Sequence, residues 1–194
     1  MPNVRLLKED DIDLLRSMFD FNQLSNGIRL TESQINNWCD NTIFGVKKGT
    51  KQVAVNFDDS GNPIAMSMGV EKKNVNGWLQ GLTMVRHTAN HAVKSIKIIT
   101  PAMDLLVSHM ESKGYYKFWD ISLQDKILDL GKSLVARYTE KLNRYDYFDE
   151  MIIPAGKLSG IKMWDINRRI HPTKDMTVRL YVLRQEYRLP LLKP

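Results

Sequence analysis

The spacing of apolar residues switches from helical to alternating and back along this chain, and those switches bound the folds open to it. From Thr42 to Val85 the period is two: TIFGV, KQVAVNF, NPIAMSMGV and GWLQGLTMV are rich in β-branched and aromatic residues and are separated by KGT, DDSGN and NVNG. Alternation of this kind sends successive side chains to opposite faces of a strand. Asp59-Ser60-Gly61-Asn62 and Asn76-Gly77 supply the residues that tolerate the positive φ of tight hairpin turns. The expectation is an antiparallel meander.

Helical spacing precedes it. Asn3 to Lys8 is a short apolar-bearing run. Ile12, Leu15, Met18 and Phe19 then form one stripe of a helix from Asp10 to about Phe21, with Glu9, Asp10 and Asp11 near its positive N-terminus. Thr31-Glu32-Ser33-Gln34 has the form of a capping box and opens a second short helix, to about Asp40.

Helical spacing returns after the meander, where Ala92, Ile96, Ile99, Met103, Leu106 and Met110 step by fours and threes. Pro101 interrupts the run. An internal proline loses a backbone hydrogen bond and crowds the preceding turn, so the expected main helix runs from Pro101 to Lys113 and closes at Gly114. Tyr115 to Ser122 is strand by composition. Ser122-x-x-Asp125 opens a third amphipathic helix carrying Leu123, Ile127, Leu130, Leu134, Tyr138 and Leu142 on one face. Tyr145 to Ile153 and Thr177 to Leu183 complete the strands, across a loop of more than twenty residues that is long enough to be functional. The expected order is β-α-α-β-β-β-α-β-α-β-β.

With 194 residues, 43% of them hydrophobic, the chain is expected to form a single domain over residues 1–194 with a sizeable core. No apolar stretch approaches the roughly 20 residues of a membrane helix. Met1-Pro2-Asn3-Val4-Arg5 lacks the layout of a secretory signal, and Cys39 has no second cysteine to pair with, so an intracellular, cytoplasmic setting is expected. The net charge of +6 is C-terminal: residues 1–150 carry 19 basic and 19 acidic side chains, residues 151–194 carry 9 and 3. Arg168-Arg169, Arg179, Tyr181, Arg184, Tyr187 and Arg188 interleave cations with aromatics there, a composition that suits an anionic partner and also a solvated edge strand.

The order of elements, together with VRLLKEDDIDLLRSMF, NPIAMSMGVEK, GWLQGLTMV, PAMDLLVSHMESKGYYKF and YDYFDEMIIPAG, resembles the GNAT superfamily of N-acetyltransferases over nearly the whole chain. The ending TVRLYVLRQEYR looks like the last strand of small phage-encoded members. The resemblance implies an α/β (α+β) fold with a mixed, mostly antiparallel central sheet flanked by helices. It also implies acetyl transfer from acetyl-CoA to a small-molecule or protein amine, in the host cytoplasm or a virion if the chain is phage-encoded. In such proteins the fourth and fifth strands splay, and acetyl-CoA lies in the opening against free backbone groups of the fourth strand.

By position the resemblance assigns cofactor contacts to Met84, Val85, Arg86, Lys94, Ser95 and Lys97. It assigns proton transfer to Glu71 as base and Tyr138 as acid. The ordinary readings beside these are a solvated turn charge for Glu71 and a packed ring with its hydroxyl at the surface for Tyr138. One departure stands out: Arg86 to Thr100 contains no glycine, whereas family members usually follow the fourth strand with [QR]-x-x-G-x-[GA] to bring backbone N–H groups to the CoA pyrophosphate. A GNAT-like domain serving as a non-catalytic binding or structural protein, virion-associated in a phage, is the second expectation.

Other patterns are incomplete. Gly131-Lys132-Ser133 lacks the upstream glycine of a phosphate-binding loop, where Lys126 stands instead. His87 and His91 share a helical spacing without a neighbouring carboxylate or thiol, so no metal is assigned.

Overall fold

The computed structural model describes residues 3–18, 30–85, 92–123, 136–161, 164–165 and 173–188. The strands are β1 (Asn3–Leu6), β2 (Lys51–Phe57), β3 (Pro63–Lys72), β4 (Gly77–Val85), β5 (Lys117–Leu123), β6 (Tyr145–Ile153) and β7 (Met176–Leu183). They lie in the order β1-β2-β3-β4-β5-β7-β6. The β1/β2, β2/β3, β5/β7 and β6/β7 pairs are antiparallel and β4/β5 is parallel. The helices are α1 (residues 12–18), α2 (Glu32–Lys47), α3 (Ala92–Ser112) and the single turn α4 (Gln185–Arg188). The mixed, mostly antiparallel sheet is the one expected.

Two compact units divide the chain: Met1–Val70 with Leu82–Ser108, and Glu71–Gly81 with His109–Pro194. In the first, consecutive residues Val53 to Asn56 of β2 and Ala65 to Gly69 of β3 are buried, which requires cover on both faces of these strands. α3 supplies some of that cover. Asn56 donates from Nδ2 to the Ile98 carbonyl at 2.8 Å, and the Ser67 hydroxyl lies 3.3 Å from Met103 Sδ. Arg5 of β1 holds Asp11 at the head of α1 through two guanidinium hydrogen bonds of 2.5 and 2.8 Å, and Asp11 also accepts from the Lys8 amide at 2.7 Å. That pairing holds the Asp11 carboxyl below the usual carboxylate range.

Two expectations fail here for the same reason. TIFGV is not a strand: it lies inside α2, whose Thr31–Gln34 capping box forms as the sequence implied. The buried residues Ile35, Cys39, Thr42 and Gly45 continue one helical face straight through the β-branched segment. Packing of that face overrides the local strand preference.

Likewise α3 does not begin at Pro101 but contains it. The missing N–H and the crowded turn cost about 3 kcal/mol, yet Ile99, Ala102, Met103, Leu106 and Met110 are all buried on the continuous stripe. Each such Ile, Leu or Met side chain returns about 1.5–3 kcal/mol on burial. Carbonyls around the proline find side-chain donors, Thr100 Oγ1 to Ile96 at 2.6 Å and Asn56 Nδ2 to Ile98.

The expected third helix lies mostly outside the described residues. Its described end, Ala136–Lys141, is a π-helical turn.

Candidate functional site

Among the described residues of the second unit, β4 and β5 form a short parallel pair. Gly77, Trp78 and Leu79 of β4 register with Lys117, Phe118 and Trp119 of β5, and among the described residues the register ends there although β4 and β5 both run on. Close approach is enforced at the start. A side chain at Gly77 would meet the Trp119 ring at 2.7 Å and the Lys117 carbonyl at 2.8 Å, so only glycine fits.

The direction of the next backbone group follows from strand parity. Asn76, with φ 50°, accepts from the Lys117 amide through its carbonyl at 3.3 Å, which places the even-numbered backbone groups of β4 on the β5 side. Gln80 is the first even position beyond the register. Its carbonyl aims where β5 no longer pairs, and the indole Nε1–H of Trp164 donates to it at 3.0 Å.

Trp164 comes from the long loop between β6 and β7. It is 2% exposed and packs with Leu79, Ile153, Met176 and Val178, with Trp119, Ile121 and Ile161 alongside. A knot of hydrogen bonds around Asp165 holds its turn: the carboxylate accepts from the Ser159 amide at 2.7 Å, the Ser159 hydroxyl at 2.6 Å and the Gly160 amide at 3.1 Å. Gly160 has φ +77°, a conformation side chains disfavour. The Trp164 and Asp165 amides both donate to the Ile161 carbonyl at 2.9 Å.

The opposite face of the same strands is aromatic. Phe118 stacks on Trp78 at 4.8 Å and on Tyr181 at 4.3 Å, and Tyr138 and Tyr145 meet it edge-on at 5.9 and 5.2 Å. In this unit three carboxylates each take one phenol and one cation. Glu111 accepts from Tyr145 at 2.7 Å and Arg144 at 2.5 Å. Glu71 accepts from Tyr115 at 2.8 Å and pairs with Lys113. Asp120 has Tyr181 at 3.4 Å and Arg179 at 4.0 Å. Burial, then the adjacent carboxylate, pushes the Tyr115 phenol up to about 12 and raises Tyr145 and Tyr181 as well.

Glu71 is therefore not a solvated turn charge, since it ends β3 with both oxygens engaged and its side chain 1% exposed. Tyr138 does not bring its hydroxyl to the surface; it is 1% exposed inside the aromatic layer. Met84 and Val85 end β4, Lys94, Ser95 and Lys97 fall in the first two turns of α3, and Lys97 is exposed. Arg86, His87, His91, Gly131 to Ser133, Arg168 and Arg169 lie outside the described residues.

Among the described residues of the basic C-terminal segment, Arg179, Arg184 and Arg188 are engaged internally. Arg179 and Tyr181 are buried, Arg184 pairs with Asp146 at 3.1 Å, Arg188 lies over the Tyr116 ring and Tyr187 lies under Arg144. Among the described residues no helix is long and apolar enough to cross a membrane, and no cluster of three or more His, Cys, Asp or Glu suits a metal ion.

No family model matches the sequence, and no curated protein matches it. Similarity to solved structures is extensive. The ribosomal-protein-S5-alanine acetyltransferase of Vibrio fischeri superposes with a TM-score of 0.66 at 9% identity, covering 94% of this chain and 93% of that one. The chain has the GNAT fold. A Salmonella typhimurium acetyltransferase that modifies the N-terminal serine of ribosomal protein L7/L12 gives 0.61 at 12% identity, covering 93% and 94%. The PaiA N-acetyltransferase of Thermoplasma acidophilum, solved with coenzyme A, gives 0.53 at 13%, covering 92% and 98%. At such identities the likeness is one of fold.

Sequence reasoning did not find Gln80 or Trp164. The signal for Gln80 was a polar residue inside GWLQGLTMV, a strand that is otherwise nearly apolar. Trp164 had no comparable signal, because its partner is 84 residues away.

Proposed function

We propose that this protein is an N-acetyltransferase that moves acetyl from acetyl-CoA to an amine by direct attack. The amine nitrogen forms a bond to the thioester carbonyl carbon, the C–S bond breaks, the amine loses a proton and the CoA thiolate gains one. The observation that carries the reading is the loss of β4/β5 register after Leu79 and Trp119 in a chain with the GNAT fold. Strands that diverge in this way can present backbone N–H and C=O groups to an extended ligand that contains amides, as the pantetheine arm does.

Met84 and Val85 would extend that edge. Lys94, Ser95 and Lys97 lie where the N-terminal end of α3 favours negative charge, and they would stand in for the missing glycines toward the pyrophosphate. Arg86 would add a cation to them. Glu71 is engaged by Lys113 and Tyr115 and Tyr138 is enclosed in the ring layer, so on this reading they position the fold and a water on the central strands accepts the amine proton. Protein amines are the favoured acceptor class, because two of the fold's neighbours act on ribosomal proteins.

A second reading, a GNAT-fold protein without acyl transfer that serves in binding or structure, including in a virion, is favoured by one observation: the Gln80 carbonyl is already taken. Calorimetric titration with acetyl-CoA, with desulfo-CoA and ATP as controls, separates the two. Saturable binding shared by acetyl-CoA and desulfo-CoA and not by ATP is expected. No heat at millimolar ligand selects the second reading.

A further inference from the structure

We propose that Asn56 is a positioning residue for the ligand end of α3: its side-chain amide fixes the segment of the helix that precedes Pro101, and through it the N-terminal end that would meet the CoA pyrophosphate. This role rests on the acetyl-transfer reading and adds to it a residue that touches neither substrate. All the groups involved lie in the first unit. Three observations converge. Proline has no N–H, so the helical bond from residue 101 to the Lys97 carbonyl is missing from the ladder of α3. Beside it, the Thr100 hydroxyl bonds back to the Ile96 carbonyl at 2.6 Å, a contact that tends to bend helices. These adjacent residues loosen the same turn, so Ala92 to Thr100 is joined to the rest of α3 less firmly than in an uninterrupted helix.

Secondly, the sheet meets α3 at that turn. Asn56 of β2 donates from Nδ2 to the Ile98 carbonyl at 2.8 Å, before the proline, and the Ser67 hydroxyl of β3 lies 3.3 Å from Met103 Sδ, after it. Asn56 pairs with Ala65 and Ala54 with Ser67, so Asn56 and Ser67 project to one face of the two strands. That face holds α3 on both sides of the weak turn. Thirdly, Asn56 is a costly residue for its position. It is 5% exposed beside Ala54, Val55 and Ala65, and its Oδ1 is buried without a hydrogen-bond partner among the described residues. A buried, unsatisfied oxygen opposes folding, and an apolar side chain of the same size would avoid it. What the asparagine gives the molecule is the bond it donates to α3.

A helix end already in place when the ligand arrives costs less to order, so fixing it raises affinity for the part of the ligand it meets and for no other part. The test crosses Asn56→Leu, which keeps the volume and removes the donor, with Pro101→Ala, which restores the N–H and the ladder. Wild type, the two single variants and the double variant, each as the full chain, are titrated by calorimetry with CoA and with pantetheine, which lacks the pyrophosphate. Asn56→Leu is expected to weaken CoA binding about ten-fold, the worth of one hydrogen bond, and to leave pantetheine binding within about two-fold. In the Pro101→Ala background the same substitution is expected to weaken CoA binding about two-fold or less, because an intact ladder then holds the N-terminal segment.

An equal loss of CoA affinity in the two backgrounds, an equal loss for CoA and pantetheine, or no loss at all overturns the positioning role and leaves the acetyl-transfer reading standing, since CoA still binds. No CoA binding by wild type overturns that reading and the positioning role with it. If pantetheine gives no heat, the comparison of the two backgrounds decides the matter. If Asn56→Leu does not fold, Asn56→Asp takes its place, with a carboxylate of the same shape that cannot donate when ionised.

Discussion

The two faces of the β4–β5–β7 sheet in the second unit are built on different principles. On one, Trp78, Phe118, Tyr138, Tyr145 and Tyr181 form a layer of stacked and edge-on rings, with phenols of Tyr145 and Tyr181 directed at carboxylates that also hold a cation. Every large group there is locked by several neighbours. On the other, a small apolar cluster surrounds Trp164, whose indole N–H donates to the Gln80 carbonyl. The first face carries stability. The second is where the β4/β5 register ends and a side-chain N–H meets a strand carbonyl.

The sharpest way to break this contrast is to cut both tryptophans. Trp78→Ala opens a cavity in the ring layer and is expected to cost about 3–5 kcal/mol in urea unfolding. Trp164→Ala removes a ring of equal size that is equally buried. It is expected to cost less than half as much, because the loss is capped by the free energy of lifting one turn. Equal costs place the turn in the cooperative core and erase the difference between the faces.

A smaller effect is expected at the edge of the ring layer. Glu111→Gln keeps shape but removes the charge that Arg144 and the Tyr145 phenol share, at about 1–3 kcal/mol by the same measurement. No change there means that the carboxylate is solvated and the phenol has another partner.

The sheet was legible because its signals are local. Asn76-Gly77 and Asp59 to Asn62 fix turns by their own backbone preferences, and the alternation of KQVAVNF survives as β2 with its boundaries intact. The failures came where distant packing outweighed a local cue. TIFGV followed the buried face of α2, and Pro101 stayed inside α3 because the stripe on either side of it was buried. The same limit applied to the candidate site. Glu71 stands next to Lys72 and Lys73 in sequence and reads as a solvated charge, yet its partners are Lys113 and Tyr115, more than forty residues on. The opening at Gln80 depends on where a register stops, and its occupant depends on a loop contact that no period encodes.

The smallest predicted effect bears on the pairing of phenols with carboxylates, and it appears only in alkali. The Tyr115 phenol is raised to about 12 in the folded protein, first by burial and then by its hydrogen bond to Glu71, against an ordinary value of 10.0. A phenol raised on folding favours the fold while it stays protonated. Its contribution is therefore complete below pH 10 and is lost as pH rises toward about 12. Tyr145 and Tyr181 are shifted the same way and add to the same alkaline loss.

Stability followed by urea unfolding is thus expected to fall above pH 10. Tyr115→Phe has no proton to lose and is expected to fall less steeply, while costing about 1–2 kcal/mol at neutral pH for the lost bond to a carboxylate. Identical alkaline slopes for the two proteins, or a tyrosinate absorbance that titrates as a single step near 10, remove the carboxylates from the account and leave ring packing alone to explain why this face is the stable one.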